Sequence, residues 1–294
     1  MIDLHTHSSA SDGSLSPAAL MAAAAERGLS AIALTDHDTI KGLDEARLAA
    51  ETLGIRFIPG VELEIQWPQK RSGFQPAPGT GEFHLLGLGI RAPSPSFIEA
   101  LDELSRRREE RNLKILETMD SMGIKAAYNE LKTGGGSVGR LHFAALLVQR
   151  GIVKNREQAF SRYLARGKPL YKAKEGLELD RALKCIKESG GIAVLAHPMS
   201  LYVSWGRLPD LIKSFAAQGL DGIEAWHPTA KPRTCKRLEE LALSLGLRVS
   251  AGSDFHGAAR PDLKLGITAG DRKIDDAILE AIPELADNGP LWGR

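Results

Sequence analysis

The apolar pattern of this chain changes character twice. Up to about residue 92, short apolar runs of strand length alternate with segments whose apolar residues recur at helical spacing. Strands are predicted at residues 1–4, 31–35, 56–61 and 82–90, with helices at 16–27 and 39–53. Ser16 and Pro17 open the first helix, and Gly28 and Gly54 follow the two helix ends. Residues 66–81, rich in Pro and Gly, read as a loop excursion rather than a lid. From residue 93 to about 173 the pattern is helical throughout. Phe97, Leu101, Leu104, Ile115, Met119 and Met122 mark the stripe of one long helix, and shorter helices are predicted at 126–131, 140–149 and 156–165. The alternation then resumes, with strands at 192–196, 222–225 and 247–251 and helices at 178–189, 208–218, 232–245 and 275–286.

Strands separated by helices predict an α/β fold with parallel pairing and right-handed crossovers. Histidines and carboxylates recur where these strands stop, and only a sheet closed into a barrel brings successive strand ends together. The expected organisation is therefore a TIM-like barrel built from residues 1–92 and 174–294, carrying an all-helical insertion, residues 93–173.

Composition narrows this picture modestly. The net charge is +1. However, residues 91–174 carry 17 Lys and Arg against 9 Asp and Glu, leaving 21 of the chain's 38 basic residues against 28 of its 37 acidic ones elsewhere. An acidic scaffold joined to a basic segment suits a small anionic substrate, and the near-neutral total argues against a protein that coats long nucleic acid. The longest apolar run, residues 18–25, is too short to span a bilayer, and the start of the chain lacks the pattern of a signal peptide. A cytoplasmic location is expected, with no membrane and no obligate protein partner evident. Cys185 and Cys235 form no CxxC and are expected to be buried thiols.

The candidate donors are His5, His7, Asp12, His37, Glu62, His84, His197, Asp254 and His256. Continued strand geometry to His7 puts His5 and His7 on one face, able to reach one ion. Six of the eight histidines fall at or just past the inferred strand ends. Singly, each has a plain structural alternative, such as a core histidine at 84 or a helix cap at 254. Nine donors serve two or three ions, and imidazole with carboxylate and no thiolate suits Mn²⁺ first, then Zn²⁺, Fe²⁺ or Mg²⁺, over Ca²⁺. Asp36 is expected to orient a ligand histidine.

As a set, His5-x-His7, Thr35-Asp36-His37, Gly60-Val61-Glu62, His84, Ala196-His197-Pro198 and Ser253-Asp254-Phe255-His256 resemble the metal motifs of the PHP (polymerase and histidinol phosphatase) family. The resemblance implies a distorted (β/α)7 barrel and three metals. It would carry His5, His7, Glu62 and Asp254 to one ion, Glu62, His84 and His197 to a second, and Asp12, His37 and His256 to a third. The long loop before His84 departs from the pattern.

Clustered divalent ions serve phosphate ester hydrolysis. The insertion offers phosphate-binding candidates: Arg107 and Arg111, with Lys114, on one helical face, and Gly139, Arg140 and His142 in a Gly-rich helix start from Gly134. The plain alternative for the first group is a solvated face on which Glu103 and Glu110 pair with Arg107 and Arg106. Tyr171 is a candidate for base stacking. The insertion further resembles that of PHP phosphoesterases acting on nucleoside 3′,5′-bisphosphates and short 5′-phosphorylated RNA, which implies attack by hydroxide formed at the metals on a small nucleotide or an RNA end. Alternatives are a histidinol-phosphate-type phosphatase, an amidohydrolase, and a non-catalytic metal-stabilised module.

Overall fold

A computed structural model describes residues 1–67, 81–131 and 136–286. In chain order its elements are β1 (Ile2–Asp3), α1 (Pro17–Glu26), β2 (Ala31–Leu34), α2 (Leu43–Leu53), β3 (Arg56–Glu64), β4 (His84–Leu88), α3 (Pro95–Ser121), α4 (Tyr128–Leu131), α5 (Arg140–Gln149) and α6 (Arg156–Ala159), which runs into a π-helix at Phe160–Leu164. There follow α7 (Leu179–Glu188), β5 (Ile192–Leu195), α8 (Leu208–Gln218), β6 (Gly222–Trp226), α9 (Pro232–Ser244), β7 (Arg248–Ala251), the small β8 (Ile267–Thr268) and β9 (Arg272–Lys273) pair, α10 (Ala277–Glu280) and α11 (Pro283–Ala286).

The first seven strands form one sheet in sequence order. The ring closes through irregular contacts: Leu4 N–H donates to the Ala251 carbonyl at 3.3 Å, Asp254 N–H to His5 at 2.9 Å and His7 N–H to Phe255 at 2.9 Å. The barrel is mostly parallel, and the exception is β4, which pairs antiparallel with both β3 and β5. The reason lies in the connection. A helix returns the chain to the starting rim after β1 and β2, whereas the Pro- and Gly-rich sequence between β3 and β4 has no helical pattern, which suits a β4 that runs back. His84 consequently sits at the start of its strand, yet on the same rim as the ends of the parallel strands.

Three further expectations are corrected. The regular part of the first strand stops at Asp3, with only a bridge at Thr6 beyond it. Glu62 lies inside β3 rather than past its end. The predicted final helix is two short ones, separated at Ala281 and Ile282.

The long helix α3 belongs to two cores. Phe97, Ala100, Leu101 and Leu104 pack into the barrel cluster, together with Ala182, Leu183 and Ile186 of α7. Ile115 and Met119, about three and four turns beyond Leu104, pack with Phe143, Leu147, Leu164 and Leu170 in a separate core of the cap. Met122, predicted as part of the stripe, is exposed. Between the two cores the same buried stripe carries Arg111 and Asn112. No helix of the described residues is long and apolar enough to cross a membrane. Cys185 and Cys235 are free and buried.

Candidate active site

Seven loops and strand ends converge at the rim. β1 runs into His5 and His7, held by the closing hydrogen bonds to residues 254 and 255. Gly252 allows this approach: a Cβ there would stand 2.2 Å from the His5 Cβ and 2.7 Å from Glu224 Oε1. Asp38, His197 and Asp254 all adopt positive φ, at 52°, 26° and 54°. Such strain in non-glycine residues clusters where function fixes the backbone.

The donor atoms meet closely. His5 Nε2 lies 3.1 Å from His7 Nε2. Glu62 sits at the centre: Oε1 is 2.7 Å from His84 Nδ1 and 2.9 Å from His197 Nε2. Its Oε2 is 3.3, 3.2 and 3.1 Å from His5, His7 and His37. Asp254 Oδ1 is 3.2 Å from His7 Nε2, and Asp12 Oδ1 is 3.2 Å from His256 Nε2. Three sets have ligating atoms all within 4.8 Å of one another: His5, His7, Glu62 and Asp254; His7, Asp12, His37 and His256; and His37, Glu62 and His84. His197 lies outside these sets but against Glu62.

Hydrogen bonds on the far side of four of the rings aim the ligating nitrogen inwards. His5 Nδ1–H donates to Glu224 Oε1 at 2.9 Å, and His256 Nδ1–H donates to the Asp254 carbonyl at 2.7 Å. The Ser200 hydroxyl donates to the Glu82 carbonyl and so accepts from His197 Nδ1–H, at 2.7 Å. His84 Nε2–H is positioned to donate to Glu64 Oε2 at 3.0 Å. In each case the nitrogen left facing the cluster is the lone-pair nitrogen, the arrangement that metal-ligating histidines adopt.

This arrangement fits cations and fits poorly without them. Glu62 Oε2 and His7 Nδ1 are buried with no hydrogen-bond partner among the described residues. Burial alone would raise the carboxyl groups of Asp12, Glu62 and Asp254, yet surrounding imidazoles hold all three well below the usual range. Burial opposes the charge on His84, but Glu62 and Glu64 push it up to about 10. Burial pushes His37 down to about 3 despite Glu62 and Asp12. A buried group of carboxylates thus recruits positive charge, which divalent ions supply with nitrogen and oxygen donors and no thiolate.

Above the cluster lies a cavity of about 390 Å³ whose wall includes Arg108, Arg111, Gly139, Arg140, Arg156, Phe160, Lys174 and Arg260. Most of these cations have carboxylate partners. Arg108 pairs with Asp38, Arg140 with Glu82, Lys174 with Glu64 at 2.5 Å, and Arg260 with Asp254 at 2.8 Å. Arg111 differs. It is buried, its Nε lacks a partner, and among the described residues it has no carboxylate within salt-bridge distance. Burial, then the neighbouring Arg108, pull it down to about 10.

The predicted substrate residues therefore divide. Arg111, Gly139 and Arg140 line the cavity. Arg107 does not; it pairs with Glu103 and donates to the Gly176 carbonyl at 2.7 Å. Arg106 pairs with Glu110, so that face is the solvated alternative, and Lys114 is exposed. His142 turns back, accepting the Gly139 N–H at Nδ1 (3.0 Å). Tyr171 is absent from the wall, where the aromatic is Phe160. Gly134 and most of residues 66–81 lie outside the described residues.

Asp36 orients no histidine. It accepts from Ser8 N–H at 2.8 Å, the Ser8 hydroxyl at 2.6 Å and the Ser11 hydroxyl at 2.5 Å, and thereby fixes the turn that carries Asp12.

Several residues escaped sequence reasoning. Glu224, His227, Glu64, Arg108, Lys174 and Arg260 all touch the site or its ligands. His227 follows β6 by one residue, so the strand-end rule applied to the earlier histidines would have found it. Glu224, an acid within an apolar strand, was a second readable signal.

A closed barrel with an imidazole and carboxylate cluster on its C-terminal rim, roofed by arginines, is a metal-binding hydrolase of the TIM-like class. The chain belongs to the PHP family: the PHP domain model matches residues 3–113. The chain is 38% identical over 255 residues to a 5′-3′ exoribonuclease of Haemophilus influenzae, covering 86% of this chain and 89% of that one. It is 34% identical over 273 residues to a 3′,5′-nucleoside bisphosphate phosphatase of Chromobacterium violaceum, covering 91% of each. A solved Chromobacterium violaceum structure described as an amidohydrolase with bound sulfate and no metal superposes with a TM-score of 0.81 at 33% identity, covering 92% of both chains.

Proposed function

We propose that the protein is a cytoplasmic, divalent-metal-dependent phosphatase that removes the 3′-phosphate from nucleoside 3′,5′-bisphosphates, leaving the nucleoside 5′-phosphate, and that also acts on short 5′-phosphorylated oligoribonucleotides. The observation that carries this reading is the opposition of charge across one cavity. Its floor is the cluster of His5, His7, Asp12, His37, Glu62, His84, His197, Asp254 and His256, and its roof holds the buried guanidinium of Arg111, which donates to Asn112 Oδ1 at 3.3 Å but meets no carboxylate among the described residues. A substrate with a phosphate at each end answers both.

The nine floor residues would hold the ions, three by the family resemblance, with Mn²⁺ the best match to the donors. Bound there, divalent ions lower the pKa of a water and neutralise phosphate charge. The protein's own side chains do the rest. Arg111 and Arg140 bind the retained phosphate, and the hydrogen-bonded rims of Glu224, Glu64 and Ser200 keep the ligand rings fixed.

The test is release of inorganic phosphate from a panel of mono- and bisphosphorylated nucleotides with Mn²⁺ present, run beside an ammonia assay on amide substrates. Phosphate from bisphosphates in preference to monophosphates is expected. Ammonia without phosphate would establish the amidohydrolase alternative that the Chromobacterium structure's description raises. Neither product would leave a non-catalytic module.

A further inference from the structure

One guanidinium in the cavity wall comes from the barrel floor rather than from the cap. Arg260 lies in the loop that follows His256, and its Nη1–H donates to Asp254 Oδ2 at 2.8 Å. The two oxygens of Asp254 are thereby divided: Oδ1 faces His7 Nε2 at 3.2 Å, His5 Nε2 at 3.5 Å and His256 Nδ1 at 3.5 Å, and Oδ2 faces Arg260, with His227 Nε2 farther off at 3.6 Å. Arg260 remains partly open to the cavity, with its Nη2 3.9 Å from Asp262. A guanidinium has five N–H donors in a rigid fork, so the edge turned away from Asp254 is left for an anion beside the cluster.

The loop is held from both bodies. Ala258 N–H donates to Ser14 Oγ at 2.8 Å on the barrel side. From the cap, Arg156 of α6 donates to the Ala259 carbonyl, and its Nη2 lies 3.5 Å from Asp262 Oδ1. Arg260 is therefore fixed in place before any substrate arrives, which is the condition under which a donor stabilises developing charge without reorganisation.

We propose that Arg260 is a catalytic residue that binds an oxygen of the phosphate being removed, and that Arg156 is its positioning residue, acting through the Ala259 carbonyl. The proposal rests on the phosphatase reading above. As the bond from the water oxygen to phosphorus forms and the ester P–O bond breaks, charge spreads over the three remaining phosphoryl oxygens. The attacking water gives up a proton and the leaving oxygen gains one, while Arg260 stays charged throughout and supplies hydrogen bonds only. The two ends of the cavity then have separate tasks: Arg260 acts on the scissile phosphate and Arg111 on the retained one.

The experiment compares kcat, KM and metal content of the wild-type protein, Arg260→Ala and Arg156→Ala with a nucleoside 3′,5′-bisphosphate and Mn²⁺. Arg260→Ala should lower kcat by roughly a hundredfold, the scale of losing one transition-state donor, with metal content intact. Millimolar guanidinium should restore part of that loss in Arg260→Ala and none in the wild type. Arg156→Ala should lower kcat with KM and metal content unchanged, and Arg156→Lys should recover it. Wild-type kcat in Arg260→Ala, loss of metal along with activity, or failure of guanidinium to rescue would each overturn the assignment. Titration of inorganic phosphate into the metal-loaded protein keeps the two readings apart. If no nucleotide releases phosphate, the proposed function falls. Arg260 is then still judged by whether Arg260→Ala binds phosphate about tenfold more weakly, and equal binding, or no binding to the wild type, overturns it.

Discussion

The floor and the roof of the cavity are built by opposite means. The floor gathers donors from strand ends scattered between residues 5 and 256, and the rings of His5, His84, His197 and His256 are each locked by a hydrogen bond behind them. The roof draws Arg108 and Arg111 from one continuous helix, and there the buried guanidinium of Arg111 is left without a carboxylate. A floor so organised is ready for cations whether or not substrate is present. The roof keeps an anion site open. The difference implies that substituting the imidazole and carboxylate donors of the floor should abolish metal retention and turnover together, whereas substituting Arg111 or Arg140 in the roof should raise KM and leave the metal in place.

The largest effect is expected from Asp12→Asn, which should eliminate turnover; wild-type phosphate release in that variant would remove Asp12 from the ligand set. Next comes Glu224→Gln, which keeps the shape of the group that orients His5 but weakens the charge-assisted bond. Metal affinity should fall by about 10- to 100-fold, measured by titration with Mn²⁺, and unchanged affinity would show that His5 needs no such support.

Arg111→Ala should raise KM for a bisphosphate by about tenfold, equivalent to ~1.4 kcal/mol, with metal content intact and discrimination against monophosphates reduced. Arg140→Ala should weaken binding in the same direction. Because burial and Arg108 pull the Arg111 guanidinium down, its charge is held at a cost that a bound phosphate relieves. Inorganic phosphate should accordingly bind the wild-type protein more tightly than Arg111→Ala, and equal binding would remove Arg111 from the anion site. The smallest effect belongs to Arg107→Ala, where kcat/KM should move less than about twofold, as for a half-exposed ion pair away from the cavity. A large change there would restore the helical face first suggested by the sequence.

Much of the floor was legible because strand-end chemistry leaves a mark at short range. His5-x-His7 and Ser253-Asp254-Phe255-His256 can be read without knowing how the chain folds, and the alternation of runs indicated the barrel. The reversal of β4 was less visible, although the Pro- and Gly-rich sequence of residues 66–81 carries no apolar periodicity of a helix, a pattern more in keeping with an antiparallel strand than with a parallel crossover. The roof was harder for a geometrical reason. Arg107, Arg111 and Lys114 share a face by spacing, but the helix buries a different one. Leu104, Arg108, Arg111 and Ile115 continue the apolar stripe at steps of four, three and four, and Arg108 is only partly buried while Arg111 is fully so. Cations placed where the stripe calls for apolar residues were the sign of a lined cavity. Asp36 was misread because its partners, Ser8 and Ser11, are hydroxyls in a turn and carry no sequence signature of their own.

The sharing of α3 between two cores sets a practical rule for dissecting this molecule. Excision at residues 93 and 173, where the helical segment begins and ends along the chain, would strip Phe97, Leu101 and Leu104 from the barrel and leave bare apolar surface. A transplantable roof starts only beyond Leu104, partway along a helix, so the two parts are expected to melt as one cooperative unit and to resist exchange as separate cassettes.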